Sequence, residues 1–492
     1  RDVERSRGLG DVYKRQTDRR PQRRGTLNSP DQSRISLADH TSIHVVGAGG
    51  AGMNAIAAVL LSMGHSVSGS DLRESVGVNR LRTMGARVEV GHRAENIGNA
   101  AVICRSTAVP DSNIEILAAR EAGRPVLSRA EILEAICVNK RTVAVAGTHG
   151  KTTTSSMLAL ALTASNLNPS FIVGGDLNDI GSGAVWTNEG DLFVVEADES
   201  DGTFLRVGAE AAIVTNVEID HLDFFGTHDA LMNAFRSFVD SANGPRVLCA
   251  DDPGALEIAN QVGGCITYGT AKGADYRIED VKNRRYSSNF SIFRGQEAFA
   301  RCDLPIPGNH NVLNATAAFA AAVELGAPPD VASATLGRFA GVARRFEFRG
   351  EHDGVVYVDD YAHLPTEVSA VLAAAKAGDW DRIIAVFQPH RYSRTADLWR
   401  DFGDSFVDAD HIVLTGIYGA GESPRPGITG DLLVRSVLDT HPQSSVTYLP
   451  GRDQVAAYLD SILRPGDLCL TMGAGDLTSI ADEVQSRRRT SR

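Results

Sequence analysis

From Ile43 onward the apolar positions follow one repeated order: a short unbroken apolar run, a polar or glycine-rich loop, then a longer stretch with apolar residues at helical spacing. Ile43–Val46 reads as a strand, Gly47–Gly52 as a loop, Met53–Met63 as a helix and His65–Gly69 as a second strand ending in Ser70 and Asp71. The alternation runs to about Cys137, through VICRSTAVP and RPVLSRAEIL. A second block opens with the apolar run Arg141–Ala146, passes through Gly147–Thr153 and enters an Ala/Leu-rich helix reaching about Ala164. Predicted strands at Leu192–Glu196 and Ala211–Asn216 each end in polar clusters, residues 275–306 alternate as a small antiparallel piece, and a helix over Asn311–Leu325 closes the block. The third block follows Arg344-Arg345-Phe346, with strands expected at Val355–Val358, Ile383–Phe387, 411–415 and 468–472.

Strands alternating with helices through short loops predict parallel sheets with right-handed crossovers, an α/β architecture. At 492 residues the chain exceeds one core and suggests about three domains. The expected limits are 39–139, 140–343 and 344–485, with 1–38 as a disordered or non-native leader and 486–492 as a solvated tail. Charge supports that division. Residues 1–35 carry ten Lys/Arg against five Asp/Glu, so a chain of net −12 keeps −17 in the remainder. An acidic body argues against a nucleic-acid groove, which demands basic patches. The basic stretch lacks the apolar core of a signal peptide. No apolar run approaches the roughly 18 residues of a membrane span, so no membrane insertion is expected. Six cysteines without CxxC or Cys/His spacing read as core residues of a reducing, cytoplasmic compartment.

The sharpest chemical signal is Gly147-Thr148-His149-Gly150-Lys151-Thr152-Thr153. Glycines let backbone N–H groups approach phosphate oxygens, and the following helix adds its positive N-terminal end. Lys151 is placed to reach the outer phosphates of a nucleotide and Thr152 to ligate Mg2+. The spacing is shorter than the usual phosphate loop, with Val145 where the first glycine belongs. An incidental glycine turn is the competing reading, disfavoured by the buried strand before it and the long helix after. Glu196, Asp198, Glu199 and Asp201 place four carboxylates in six residues at a strand end, a cluster that repels itself unless a cation sits nearby. His221, between Asp220 and Asp223 at another strand end, is read as a metal ligand rather than a structural histidine.

Gly47–Gly52 matches G-x-G-x-x-G, with Asp71 downstream. That pattern fits NAD, the phosphates of another nucleotide, or tight helix packing, and spacing does not choose among them. His363, His390, Arg391 and Arg394 could capture a carboxylate or phosphate, or form a structural ion-pair network. No serine, cysteine or zinc-protease constellation is visible.

Taken in order, GAGGAGM, SGSD, GTHGKTTT, EADESD, TNVEIDHLD, GNHNVLNA, RRF, VDDYAH, FQPHR and GAGESPRPG resemble the Mur ligases of peptidoglycan synthesis, over about Ile43 to Ile480. The opening GAGGAGM and the GAGESPRPG segment are most similar to the branch that adds L-alanine to UDP-N-acetylmuramate. The resemblance implies a Rossmann-like N-terminal UDP-binding domain, a central P-loop ATPase and a C-terminal Rossmann-like domain. It also implies ATP and Mg2+ as cofactors, small-molecule substrates as partners, and a monomer or weak homodimer. Gly47, Gly49, Gly50, Gly52, Ser70 and Asp71 then match the UDP-sugar site. Gly147, Thr148, His149, Gly150, Lys151, Thr152 and Thr153 match the ATP loop, joined by Asn311 at the adenine and Arg345 at the phosphates. Thr152, Glu196 and His221 match metal ligands, and His363, Arg391 and Arg394 match residues around the amino acid. Lys151, Glu196, His221 and His363 are the expected catalytic set.

Two features qualify the match. Leu364 stands where the alanine-adding branch usually carries a second histidine, and residues 222–250 contain no lysine to carry the carbamate found in several Mur ligases. The rival readings are a sister ligase attaching a recycled murein peptide, an NAD-dependent oxidoreductase, and a non-catalytic nucleotide binder.

Overall fold

A computed structural model of the chain describes Leu37, residues 40–220 and residues 222–490. His221 and nearly all of the stretch read as a leader lie outside the described residues. Leu37, assigned to that leader, is buried.

The N-terminal sheet consists of β1 (Ser42–Val46), β2 (Ser66–Asp71), β3 (Arg87–Val90), β4 (Val102–Arg105) and β5 (Val126–Ser128). Its order is β3-β2-β1-β4-β5, all parallel, so the order reverses beside β1. A ligand crevice is expected at the carboxyl ends there. The second strand runs to Asp71, beyond the expected Gly69, because Asp71 still pairs with Val90 of β3.

The central sheet holds β6 (Arg141–Ala146), β7 (Ser170–Leu177), β8 (Ser182–Val185), β9 (Leu192–Glu196), β10 (Ala211–Val214), β11 (Arg246–Cys249), β12 (Ile266–Gly269), β13 (Tyr276–Arg284), β14 (Ser287–Arg294) and β15 (Glu297–Leu304). Its order is β15-β14-β13-β12-β11-β10-β6-β9-β7-β8. The antiparallel piece is therefore no separate unit: β13 pairs parallel with β12 and extends the same sheet. Val143–Ala146 and Ala211–Val214 are wholly buried, as strands covered on both faces must be. Helices Lys151–Ala164 and Asn309–Glu324 pack together over this sheet, their many alanines allowing close approach.

The C-terminal sheet comprises β16 (Glu347–His352), β17 (Val355–Asp360), β18 (Arg382–Phe387), β19 (His411–Thr415), β20 (Val446–Leu449) and β21 (Asp467–Met472). It runs β16-β17-β21-β18-β19-β20, parallel except for edge strand β16. Its two faces carry separate cores, one around Phe387, Phe402 and Phe406, the other around Tyr357 and Leu459.

One expectation is corrected at an element end. The strand expected to reach Asn216 stops at Val214, because Thr215 and Asn216 turn onto the phosphate loop. The Thr215 hydroxyl donates to the His149 carbonyl at 2.5 Å, and the His149 N–H donates to Asn216 Oδ1 at 2.8 Å. Residues 486–490 of the expected tail continue the helix Ile480–Thr490, with Ser486, Arg487 and Arg489 exposed. Arg488 anchors it, donating to Asp460 Oδ1 at 3.1 Å and to the Leu463 carbonyl at 3.0 Å. Among the described residues no helix is long and apolar enough to cross a membrane.

Candidate active site

The loop expected to hold phosphate joins β6 to helix Lys151–Ala164. Gly147 (φ +131°) and Gly150 (φ +79°) hold conformations that L side chains rarely adopt, and a Cβ on either would strike Thr215 Oγ1 or Asn314 Oδ1. Behind this turn Lys151 folds back, its ammonium donating to both Glu199 oxygens at 2.9 Å and to the Gly147 carbonyl at 2.5 Å. Burial and neighbouring Asp198 push the Glu199 carboxyl up to about 7, against the pull of Lys151. Burial disfavours the Lys151 charge, but Glu199, Asp198 and Glu196 outweigh it and raise its pKa.

Thr152 follows on the helix, nearly buried. Its hydroxyl and both Glu196 oxygens lie within 3 Å of where a Cβ on Gly174 would stand, at 2.9, 2.5 and 2.8 Å. Hydroxyl and carboxylate oxygens are hard donors suited to Mg2+, which takes one or two carboxylates and completes its shell with phosphate oxygens and water. Among the described residues no three His, Cys, Asp or Glu converge as a cation cage. Thr148 accepts the Glu218 N–H at 2.9 Å, and Thr153 lines the smaller of two clefts.

The larger cleft, about 610 Å³, runs from the first glycine loop to Glu196. Gly49, Gly50 and Gly52 face it, with Ser106, Thr107 and Arg129. The other expected sugar-nucleotide residues stand behind the loop. The Ser70 carbonyl accepts the Gly47 N–H at 2.9 Å, and Asp71 Oδ2 accepts the Gly49 N–H at 2.8 Å. The Ser70 side chain is buried and donates to Glu115 at 2.5 Å, so it shapes the loop rather than facing the cleft. Arg129 begins helix Arg129–Cys137 and reaches the acidic cluster, its Nη1 lying 3.4 Å from Asp198 and 3.8 Å from Asp201. Its buried Nε has no partner.

The smaller cleft, about 160 Å³, lies between the phosphate loop and the C-terminal domain. Asn311 and Arg345 line it. The Asn311 amide donates to the Pro307 carbonyl at 2.8 Å, and the Arg345 guanidinium lies 5.1 Å from the Tyr361 ring centre. Burial pushes Asp360 up to about 6, with Arg345 opposing. His310 is held down at about 4 by burial. On its far side stands the histidine cluster. His363 Nδ1 lies 3.0 Å from the Tyr361 carbonyl, and the His363 ring is 5.9 Å from His390. His390 stacks on Tyr418 and lies 3.2 Å from Arg394 Nη1. Burial, with His363, Arg394 and Arg391, drives His390 down to about 3. Arg391 is exposed at the start of helix Tyr392–Leu398, with φ +68°.

Three features escaped the sequence reading. Ser106-Thr107 directly follow β4, so the strand-end rule could have found them. Arg129 carries no local signal. Neither does the contact of His149 with Glu218 at 3.2 Å and Glu367 at 3.1 Å, whose partners lie 69 and 218 residues away.

Family models match three consecutive stretches: "Mur ligase family, catalytic domain" over residues 42–141, "Mur ligase middle domain" over 145–322 and "Mur ligase, glutamate ligase domain" over 344–475. The chain is 46% identical over 452 residues to the UDP-N-acetylmuramate–L-alanine ligase of Rubrobacter xylanophilus, covering 90% of this chain and 99% of that one. It is 44% identical over 468 residues to the enzyme of the same name from Myxococcus xanthus, covering 94% and 98%. Its structure is similar to that of the UDP-N-acetylmuramate–alanine ligase of Thermotoga maritima, with a TM-score of 0.79, 28% identity, and 92% and 100% of the two chains covered. Matched from Ser42 to Gly475 by the three models, and 46% identical along nine-tenths of its length to a relative of that name, this chain belongs to the Mur ligase family.

Proposed function

We propose that the protein is the ATP- and Mg2+-dependent ligase that joins L-alanine to the carboxylate of UDP-N-acetylmuramate in peptidoglycan synthesis, acting in the cytoplasm as a monomer or weak homodimer. The observation that carries this is the identity of 46% to a ligase of that name over 99% of the relative's length. We take its domains to span 39–139, 140–343 and 344–485.

In this reading the sugar nucleotide occupies the larger cleft, its diphosphate on the Gly49–Gly52 turn and its carboxylate directed toward the Glu196 end. ATP lies along residues 147–153 with its adenine near Asn311 and its phosphates near Arg345. Lys151 exchanges Glu199 for the γ-phosphate, the better partner once a phosphate with several oxygens arrives. Thr152, Glu196 and His221 would hold Mg2+, which when bound neutralises phosphate charge. The C-terminal cluster receives L-alanine, with Arg391 and Arg394 facing its carboxylate.

The muramate carboxylate is phosphorylated by ATP to an acyl phosphate, the amine of L-alanine attacks that carbon, and phosphate leaves. The chain's share of this is positioning and charge neutralisation, so a site without a nucleophilic side chain suffices. Phosphate release measured with UDP-N-acetylmuramate and each amino acid in turn tests the assignment. Release with L-alanine is expected. Release only with a murein peptide would move the chain to the peptide-recycling ligases.

A further inference from the structure

Glu367 sits at the start of helix Pro365–Lys376, where its side chain is used twice. One oxygen, Oε2, accepts the backbone N–H groups of His363 at 2.8 Å and Leu364 at 3.1 Å, and lies 3.3 Å from His363 Nδ1. The other, Oε1, lies 3.1 Å from Nδ1 of His149 in the phosphate loop. A single carboxylate thus spans the nucleotide side and the amino-acid side of the site.

The neighbours decide where the ring protons are. The partners of His363 Nδ1 are the Tyr361 carbonyl and the Glu367 carboxylate, and neither can donate. Nδ1 therefore carries the hydrogen. Burial and Arg394 hold the ring below its ordinary pKa despite Glu367, so it stays neutral near pH 7 and Nε2 is left with its lone pair. His149 is the opposite case. Its two nitrogens face Glu367 and Glu218, both acceptors, so both are protonated; the carboxylates overcome burial and hold its pKa at about 9.

We propose that Glu367 is a positioning residue for the amino-acid half of the reaction: it holds His363 in the Nδ1–H tautomer so that Nε2 is presented as the acceptor for the amino group of the incoming amino acid. The proposal rests on the ligase reading for the identity of that amino group. The same carboxylate, through protonated His149, ties this arrangement to the phosphate loop. A carboxylate behind a histidine fixes ring orientation and tautomer in just this way, and its loss typically costs about 10- to 100-fold in function.

The test combines the ring 15N shifts of histidine-labelled protein, assigned with a His363→Asn variant, with steady-state kinetics. The wild type is expected to show His363 as neutral Nδ1–H. Glu367→Ala should shift the signal toward the Nε2–H form and raise KM for L-alanine about 10- to 100-fold. Glu367→Gln, whose amide oxygen can still accept from His363 but whose amide cannot serve a protonated His149, should restore the tautomer and the alanine KM while KM for ATP is raised. A wild-type His363 found as Nε2–H or doubly protonated overturns the proposal, and does so even if neither variant folds. So does a Glu367→Ala enzyme with unchanged tautomer and alanine KM, or a Glu367→Gln enzyme no better than Glu367→Ala. The shifts need no turnover, so absence of alanine-dependent phosphate release by the wild type would count against the ligase reading alone.

Discussion

Lys151 and Glu199 show how single residues here are built for exchange rather than for permanent pairing. Removing the ammonium by Lys151→Ala should lower kcat at least about 100-fold, the range for a lost electrostatic stabiliser. It should also reveal Glu199 as a buried acid without its counter-charge. The Glu199 carboxyl already rises to about 7 with Lys151 in place, and without it must rise further. The folded state then keeps a proton that the unfolded chain has released, so stability falls as pH rises. Relative to wild type, the melting temperature of Lys151→Ala should be lower at pH 6, where the attraction of Lys151 for Asp198 is lost, and lower still at pH 8.5, where Glu199 adds its own cost; an equal loss at both would contradict the buried-acid account. Glu196 is the second residue with a testable role. Glu196→Gln keeps size and hydrogen bonding but removes the charge a hard cation needs. Sugar-nucleotide binding should persist, turnover should fall, and the Mg2+ titration should shift to higher concentration. An unshifted curve with normal turnover would detach Glu196 from the metal.

Among elements, the helix Arg129–Cys137 illustrates how local sequence prepares a long-range contact. Ser128 Oγ accepts the Glu131 N–H at 3.3 Å while Glu131 accepts the Ser128 N–H at 2.8 Å, a capping box that sets the first turn. That turn delivers Arg129 into the larger cleft beside Gly52, with Nε unpartnered and Nη1 near Asp198. A half-buried guanidinium whose Nε has no partner suits a diphosphate. Arg129→Ala should weaken UDP-N-acetylmuramate binding about 10- to 100-fold, the worth of one charge-assisted hydrogen bond, and leave ATP binding unchanged in calorimetry. Loss of both affinities together would mean that Arg129 acts through the acidic cluster. The phosphate-loop element was readable because every signal lies within Arg141–Ala164: apolar strand, glycines, Lys-Thr and long helix. The end of β10 was not. Its last residues take their conformation from His149, a partner 66 residues away that strand propensity ignores.

Over the whole molecule the residues proposed for the site come from different domains, so the proposed function depends on how the domains hold together. The hairpin of β13 and β14 reaches the C-terminal domain with Arg285 and Tyr286. Arg285 lies 3.9 Å over the Trp380 ring and bonds the Asp379 carbonyl, and Tyr286 packs edge-on against Phe348 at 6.2 Å and Trp380 at 6.0 Å. Trp380→Ala removes a cation–π contact and an aromatic pair, together about 1–3 kcal/mol. The expected result is faster hydrogen exchange in residues 284–287 and a lower kcat, without loss of sugar-nucleotide binding in the distant larger cleft. Unchanged exchange at the hairpin would show that the clasp contributes nothing to holding the domains.

Periodicity, glycine placement and strand-end chemistry act within a few residues of one another, and sequence alone settled what they govern. The three α/β blocks, the parallel core strands, the glycine turn at Gly147–Thr153 and the acidic strand end at Glu196 are all of this kind. Only the tertiary structure decided what depends on residues far apart in the chain. It showed that the antiparallel piece continues the central sheet, that Ser70 turns inward to Glu115, and that Lys151 rests on Glu199. It alone showed His149 and His363 meeting at Glu367. Such contacts follow from how sheets and domains stack, and no local pattern encodes a bond between positions 149 and 367.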